Sequence, residues 1–270
     1  MILINGIEVE QKHFPDGTLH LKHELNSLSK NIAPINIKWF YENDGELFTI
    51  ICLAKKYADH KKTLYMPYCP HARMDRVKKD EDTFTLKYFC EVINSLNFNK
   101  VYVVDVHSSV ASALLNNVSN LSATTQINYV INTLSMKHDD LLLFFPDEGA
   151  MKRYSDELNR EYAFGIKKRD WSNGKILGLE VMNKELVKDR PVLIIDDICS
   201  TGGTFYHSAN ALKALGAKEV YLYITHAENT MIKGDMYNTE GLIEEIYTTG
   251  SIFNIENDVL NKVRIVDQYC

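Results

Sequence analysis

The chain has 270 residues, of which 45% are hydrophobic and 24% are charged, so disorder is excluded as its main state. At about 150 residues per domain, this length indicates one large domain or two modest ones. The formal charge of -6 provides no positive field for a polyphosphate backbone and argues against nucleic acid as a partner. Five scattered cysteines without a C-x-x-C pair indicate reduced thiols, and no targeting or membrane segment is visible, so we expect a cytoplasmic protein.

Short apolar, β-branched runs alternate with longer mixed segments, which is typical of parallel β-α-β units. The strands predicted in this way are residues 63–66, 101–104, 141–145, 191–195 and 219–224. Apolar side chains at three- and four-residue spacing predict amphipathic crossover helices over residues 108–116, 150–161 and 203–215, the last ending before Gly216. The predicted fold class is therefore α/β, with parallel β-α-β units.

Two polar stretches interrupt this rhythm. The first, residues 116–126, is the best candidate for a boundary between two α/β halves. The second, residues 167–174, is rich in charge and contains an Asn-Gly pair, which predicts a mobile loop.

Residues 190–204 combine an apolar strand, two adjacent carboxylates, a loop of small residues and a helix start. Asp196 and Asp197 stand at the carboxyl end of the predicted strand, where open α/β sheets bind ligands, and their oxygens can accept hydrogen bonds from a vicinal diol. The loop then places hydroxyls and open backbone N–H groups at a helix N-terminus, which favours a phosphate monoester. Its residues are Ser200, Thr201, Gly202, Gly203 and Thr204. The pattern predicts a sugar-phosphate site; a capped helix start with two solvated acids is the competing interpretation. The position of Cys199 suggests sensitivity to thiol reagents.

A second polar cluster follows the first predicted strand. Arg73, Asp75 and Arg76 would emerge at its carboxyl end, and arginine forks bind phosphate bidentately, so an anionic ligand is indicated. Asp105 and His107 end the next strand, where they are placed to meet a metal or a phosphate. A surface ion-pair cluster and a structural histidine are the alternatives.

The segment from Asp196 to Thr204 resembles the loop that binds 5-phosphoribosyl 1-pyrophosphate (PRPP) throughout the type I phosphoribosyltransferase fold. Four segments in order, residues 67–76, 105–107, 146–149 and 196–204, resemble those of the ribose-phosphate pyrophosphokinases, also called PRPP synthetases. Residues 14–17, and Thr225-His226 after the last predicted core strand, extend the resemblance over nearly the whole chain. It implies two similar α/β domains of the phosphoribosyltransferase-like type, each with a doubly wound, mostly parallel sheet. Residues 1–125 would bind ATP, and residues 126–270 would bind the ribose phosphate.

The resemblance also implies a reaction. The β,γ-diphosphoryl group of ATP would pass to the anomeric hydroxyl of ribose 5-phosphate, giving PRPP and AMP, with Mg²⁺ as the cofactor. Positioning and charge neutralisation dominate such transfers. Residues 166–170 resemble the catalytic loop of the family, which implies Lys168 as the catalytic lysine, assisted by Arg169 or Lys167.

Roles for the remaining residues follow from the same resemblance. Arg73, Asp75, Arg76 and His107 would bind ATP, His107 through its Mg²⁺; Phe14 and Asp16 would reach adenine across the interface of a homo-oligomer. Asp147 and Gly149 would line the ribose and pyrophosphate site, with Asp147 as a second metal ligand. Asp196 and Asp197 would bind the ribose hydroxyls, and residues 200–204 the 5-phosphate.

Three positions depart from the family pattern. Met74 replaces a Gln, Thr18 replaces a Glu, and Asp170 stands where many members have an Arg. These departures leave alternatives open: transfer to a larger acceptor such as ADP-ribose in nucleotide salvage, a phosphoribosyltransferase that consumes PRPP, or a regulatory homologue without activity.

Overall fold

A computed structural model describes residues 1–23, 34–169, 176–255 and 261–266. The chain folds into two compact units, Met1–Ser122 and Ala123–Cys270, and each contains its own mostly parallel sheet. The division between the units falls inside the polar stretch 116–126. Within the described ranges, no helix combines the length and apolarity that a bilayer crossing requires. The predicted α/β class is confirmed.

The N-terminal unit is a six-stranded sheet in the order β2-β1-β5-β6-β7-β8. Its strands are β1 Ile2–Ile4, β2 Ile7–Glu8, β5 Ile35–Trp39, β6 Lys62–Tyr65, β7 Lys100–Val104 and β8 Val118–Leu121. A separate hairpin is formed by β3 Gln11–His13 and β4 Leu19–Leu21, and the helices are α1 Glu46–Lys56, α2 Thr85–Ser95 and α3 Ser109–Leu114. Strands β5 to β8 are parallel, whereas β1 is antiparallel to both neighbours. Since β6 and β7 pair directly, the loops at their carboxyl ends are neighbours.

The C-terminal unit is a seven-stranded sheet in the order β11-β10-β9-β12-β13-β14-β15. Its strands are β9 Leu142–Phe145, β10 Tyr162–Arg169, β11 Ile176–Met182, β12 Val192–Cys199, β13 Val220–Ala227, β14 Ile246–Thr248 and β15 Val263–Ile265. Its helices are α4 Thr124–Ser135, α5 Glu148–Leu158, α6 Gly203–Ala214 and the short α7 Asp235–Asn238. Only the β10–β11 pair is antiparallel among the described strands of this sheet.

Strand β9 and the first half of β12 are buried on both faces, which explains the apolar runs at residues 142–145 and 192–195. Leu142, Phe144 and Ile194 pack into one core, whereas Leu143 and Phe145 pack into the core on the other side. The two strands are parallel neighbours, with Ile194 opposite Phe144. The polar residues that follow these apolar runs therefore lie side by side at one edge of the sheet.

Two details of the sequence prediction are wrong. Lys167, Lys168 and Arg169 do not belong to a loop, because β10 continues to Arg169 and pairs with β11. The pairing is antiparallel, with Lys168 opposite Gly178, and the register shifts between Lys168 and Arg169. The other correction concerns Thr225 and His226, which lie inside β13 rather than after it and are buried.

Gly165 sits at a close approach between β10 and the loop that follows β9. A Cβ atom at this position would lie 2.7 Å from the carbonyl oxygen of Pro146 and 2.7 Å from Cδ1 of Leu179. Real Cβ atoms do not approach so closely, so the hydrogen side chain allows β10 to pack against the backbone just before Asp147.

We expect Gly165→Ala to destabilise the protein by about 1–3 kcal/mol, because the added methyl must displace a backbone carbonyl and a packed side chain. The control is Gly178→Ala on the paired strand, where a Cβ would meet no described atom within 4 Å. Urea unfolding followed by far-UV circular dichroism measures both variants. Equal midpoints for the two alanine variants would contradict the close approach.

Candidate active site

Three carboxylates converge where β9 and β12 end. Asp147 follows β9 and caps α5, since its side chain accepts a hydrogen bond from the Ala150 N–H at 3.1 Å. Asp196 and Asp197 lie in the second half of β12, directly after its apolar run. Arg153 lies in α5, the helix that Asp147 caps, and its Nη1 is 3.2 Å from Oδ2 of Asp197. The N-terminus of α5 thus contributes both an acid and a compensating base to this edge of the sheet.

The two adjacent acids are not equivalent. Asp197 is 3% exposed and is ion-paired with Arg153. Burial, reinforced by the carboxylates of Asp197 and Asp147, raises the pKa of Asp196 well above its ordinary value, although the Asp197 N–H donates to its Oδ1 at 2.9 Å. Hydrogen-bond donors such as sugar hydroxyls would relieve the crowding of negative charge on Asp196. Arg153 has no distinguishing signal in the sequence, and the prediction missed it.

The loop after β12 leads into an open helix N-terminus. Gly202 has a φ of +83° and precedes α6, whose first residue is Gly203. Among the described side chains, none caps this twelve-residue helix. The first N–H groups of a helix have no partner within it and carry partial positive charge. Because Thr201 and Gly203 are exposed, this N-terminus can accept an anion.

Cys199 ends β12 and is buried. Its side chain is 2% exposed, and Sγ lies 3.3 Å from the carbonyl oxygen of Ser200. Burial raises the pKa of the thiol, so the reactive thiolate is strongly disfavoured. Burial and the raised pKa both argue against the expected sensitivity of Cys199 to thiol reagents.

A cleft of about 360 Å³ opens beside Asp147. It is lined by Asp147, Glu148, Met151, Phe164, Gly165 and Ile166. The last three belong to β10, which continues from this cleft to Lys168 and Arg169. The side chains of these two basic residues, and all of Asp170, lie outside the described part of the chain.

In the N-terminal unit, the loops after β6 and β7 are joined through Asp75. Its carboxylate accepts two hydrogen bonds from Arg76, from Nε at 2.7 Å and Nη2 at 2.8 Å, and a third from Ser108 Oγ at 2.7 Å. The hydrogen bond from Arg76 is the main reason that the pKa of Asp75 lies below its ordinary range, and nearby Ser108 and His107 contribute. Ser108 also caps α3 by accepting from the Val110 N–H.

This arrangement brings several predicted residues to one surface. Arg73, Arg76 and His107 are exposed, and Asp75 holds the loop that bears the arginines against the loop that bears His107. Asp105 is buried and has a φ of +43°, with its N–H donating to the Leu121 carbonyl, so it shapes the strand end rather than presenting an exposed ligand. The surface carries the positive charge that an anionic ligand requires.

Phe14 and Asp16 lie in the turn of the β3–β4 hairpin. Phe14 is 49% exposed and stacks on His20 with ring centroids 4.6 Å apart. Oδ1 of Asp16 accepts from the Thr18 N–H at 3.0 Å and from Thr18 Oγ1 at 2.7 Å, which lowers the pKa of Asp16. Thr18, a departure from the family pattern, therefore stabilises this turn.

The predicted metal ligands belong to different units, His107 to the first and Asp147 to the second. Among the described residues, no group of three or more His, Cys, Asp or Glu side chains could hold a metal ion by itself. Mg²⁺ commonly takes one or two carboxylates from the protein and completes its octahedron with water and substrate phosphates. The oxygen ligands near Asp147 fit such a partial shell and do not form a closed protein cage.

Known proteins resemble this chain in both sequence and fold. A family model described as "Phosphoribosyl transferase domain" matches residues 150–258. A ribose-phosphate pyrophosphokinase of Clostridium perfringens is 30% identical over 261 residues, covering 93% of this chain and 80% of that protein. Another from Pyrococcus abyssi is 28% identical over 273 residues, covering 97% of this chain and 89% of that protein.

The crystal structure of phosphoribosylpyrophosphate synthetase from Mycobacterium smegmatis matches with a TM-score of 0.77 and 18% identity, covering 96% of this chain and 85% of that one. This likeness confirms the fold, with two phosphoribosyltransferase-like domains. The sequence matches include the arginine-bearing unit as well as the unit with the open α6 N-terminus. The protein therefore belongs to the ribose-phosphate pyrophosphokinase family, since it is 30% identical to one of these proteins over 93% of its length.

Proposed function

We propose that the protein transfers the β,γ-diphosphoryl group of ATP to the anomeric hydroxyl of ribose 5-phosphate, giving PRPP and AMP. The observation that carries this proposal is the extent of the family match, which covers 93% of the chain and so includes both anion-binding surfaces. A phosphoribosyltransferase needs only the sugar-phosphate surface. The arginine-bearing surface of the N-terminal unit supports a second polyanionic substrate.

The C-terminal unit would bind the acceptor. The 5-phosphate would occupy the N-terminus of α6 and contact the backbone of residues 201–204, where the helix dipole favours a dianion. Asp196 would accept hydrogen bonds from the ribose hydroxyls, and Asp197 would be held in orientation by Arg153. Asp147 and Gly149 would face the anomeric end of the sugar.

The N-terminal unit would bind the nucleotide. Arg73 and Arg76 would neutralise the triphosphate, and Asp75 would hold the loop of Arg76 against that of His107. The exposed ring of Phe14 supports a contact with adenine bound to a neighbouring copy, since aromatic surface left open in one chain is available for stacking. We therefore propose a homo-oligomer in which this hairpin completes the ATP site.

In the transfer, the anomeric oxygen forms a bond to the β-phosphorus of ATP. The bond from that phosphorus to the α,β-bridging oxygen breaks, AMP leaves, and the hydroxyl proton passes to solvent. When bound, Mg²⁺ would supply charge neutralisation, and the residues that we propose to hold it are His107 in the N-terminal unit and Asp147 in the C-terminal unit. Lys168 and Arg169, at the end of β10, would stabilise the charge that spreads over the transferred group.

The decisive assay incubates the protein with ATP and Mg²⁺ and either ribose 5-phosphate or ADP-ribose, and follows AMP by chromatography. We expect AMP in the presence of ribose 5-phosphate, with PRPP formed in equal amount. If AMP forms only with ADP-ribose, the acceptor is the larger ribose phosphate and not ribose 5-phosphate. If neither acceptor yields AMP, a PRPP-consuming transferase or a regulatory homologue replaces the proposal, and PRPP consumption with a nucleobase separates those two.

Lys168→Ala should lower kcat by about 100-fold or more, because a charge that acts on the transferred group contributes mainly in the transition state. Binding of ATP, measured by calorimetry, should change less than threefold. Lys184→Ala is the matched control, since Lys184 is exposed and lies past the β10–β11 hairpin. A Lys168 variant with unchanged kcat would remove this residue from the mechanism.

Asp196→Asn should raise the KM for ribose 5-phosphate by about tenfold or more, since it replaces an oxygen that can accept from a ribose hydroxyl by an NH₂ group that cannot, and an unsatisfied buried polar group costs about 1–3 kcal/mol. The KM for ATP should stay within twofold of the parent value. Asp189→Asn serves as the control, because Asp189 is exposed and its positive φ is also tolerated by Asn. An unchanged KM for ribose 5-phosphate would show that the Asp196 carboxylate does not contact the sugar.

A further inference from the structure

Gly234 occupies a position where no side chain fits. A Cβ atom there would overlap the carbonyl oxygen of Thr201 and would lie 2.8 Å from the carbonyl carbon. The backbone of Gly234 is extended, with φ -85° and ψ 157°, which any residue can adopt. The requirement for glycine at this position is therefore close packing against the phosphate-binding loop, not backbone conformation.

The residues around Gly234 contact that loop at successive positions. We call residues 230–236 the platform. Thr230 Oγ1 lies 3.4 Å from Ser200 Oγ at one end of the loop. At the other end, a Cβ on Gly202 would lie 2.9 Å from Sδ of Met236, whose side chain is fully buried. Each of the three loop residues before α6 therefore contacts a different residue of the platform: Ser200 contacts Thr230, Thr201 contacts Gly234, and Gly202 contacts Met236.

The platform is itself firmly held. Its Met231 side chain is fully buried, and the Gly234 N–H donates to the Met231 carbonyl at 3.2 Å. Nδ2 of Asn238 donates to the carbonyls of Ile232, at 3.1 Å, and Gly234, at 2.9 Å. Just before the platform, the Glu228 N–H donates to the Cys199 carbonyl at 2.8 Å. These bonds tie the connection between β13 and α7 to the end of β12.

An anion site made of backbone N–H groups depends on the conformation of its loop. The positive φ of Gly202 sets the direction in which the first N–H groups of α6 point. The side chain of Met236 packs against Gly202 and so helps to maintain this conformation. A loop that is already in its binding conformation loses less entropy when it binds a ligand. Displacing the Thr201 carbonyl by even about 1 Å would misalign these donors, because hydrogen bonds weaken steeply with angle.

We propose that Gly234 and Met236 are positioning residues, which hold the loop of residues 200–204 in the conformation that binds the 5-phosphate of the acceptor. This inference rests on the proposed function for the identity of the ligand. The contacts that carry it involve no residue that the sequence patterns had marked as a binding residue, apart from the loop itself.

The test compares Gly234→Ala with Gly250→Ala. A Cβ at Gly250 would meet no described atom within 4 Å, so the control adds the same methyl group to the same unit without a clash. For Gly234→Ala, we expect the KM for ribose 5-phosphate to rise at least tenfold, while the KM for ATP stays within twofold of the parent value. We expect kcat at saturating ribose 5-phosphate to fall less than threefold. Gly250→Ala should match the parent in all three constants.

A purely structural role would move the KM for ATP, the KM for ribose 5-phosphate and kcat together, and that result would overturn the proposal. An unchanged KM for ribose 5-phosphate would overturn it as well. Should Gly234→Ala fail to fold, Met236→Ala decides, because it removes atoms beneath Gly202 and adds none. We expect at least a threefold rise in the same KM for Met236→Ala, and an unchanged value would contradict the platform.

Direct calorimetric titration with ribose 5-phosphate, without ATP, separates this inference from the proposed reaction. If the parent protein binds ribose 5-phosphate but forms no AMP, the proposed reaction is refuted. The platform proposal can still be tested in that case, by comparing the dissociation constants of the parent and Gly234→Ala for ribose 5-phosphate. If the parent forms AMP and Gly234→Ala binds ribose 5-phosphate as tightly as the parent does, the platform proposal fails alone.

Discussion

The C-terminal unit depends on how two ionisable carboxylates are accommodated in β12, a strand that is buried on both faces. Asp197 is compensated by Arg153, and removing one partner of such a buried pair typically costs about 3–5 kcal/mol. Burial, together with the carboxylates of Asp197 and Asp147, raises the pKa of Asp196. Two carboxyl groups at this edge of the sheet agree with the proposed contact with the hydroxyls of a ribose.

The N-terminal unit uses an ion pair for a different purpose. Asp75 is held ionised by Arg76 and Ser108, and its bonds join the loop after β6 to the loop after β7. The charge of Asp75 is thereby compensated within the protein, and the side chains of Arg73 and His107 are exposed at the same surface. One unit thus combines carboxylates with an open helix N-terminus, whereas the other combines arginines with a histidine. The two surfaces suit chemically different ligands, which agrees with a two-substrate reaction.

The sequence predicted the parallel strands β6, β7, β9, β12 and β13, because burial leaves an apolar run in each, as in residues 142–145 and 192–195. It missed the parallel strands β5, β8, β14 and β15, which are short, as well as the antiparallel strands β1, β2 and β11. Lys167 to Arg169 have the composition of a loop and become a strand only through pairing with β11. Likewise, His226 is polar and yet lies inside β13, since its Nδ1 is 2.8 Å from Ser251 Oγ, a partner 25 residues away. Arg153 escaped prediction for the same reason, because its partner Asp197 is distant in sequence.

Glycines illustrate most clearly what local sequence can and cannot reveal. Gly202 belongs to a recognisable loop and has the positive φ that only a residue without a side chain adopts easily. Gly165 and Gly234 have no such signature, since each is required only because another segment of backbone passes close to it. Both of these segments lead into loops that we propose to bind the acceptor, Pro146 just before Asp147 and Thr201 just before Gly202. The conformation of each loop is therefore constrained partly by an element that is remote in sequence, and a loop motif alone does not reveal that constraint.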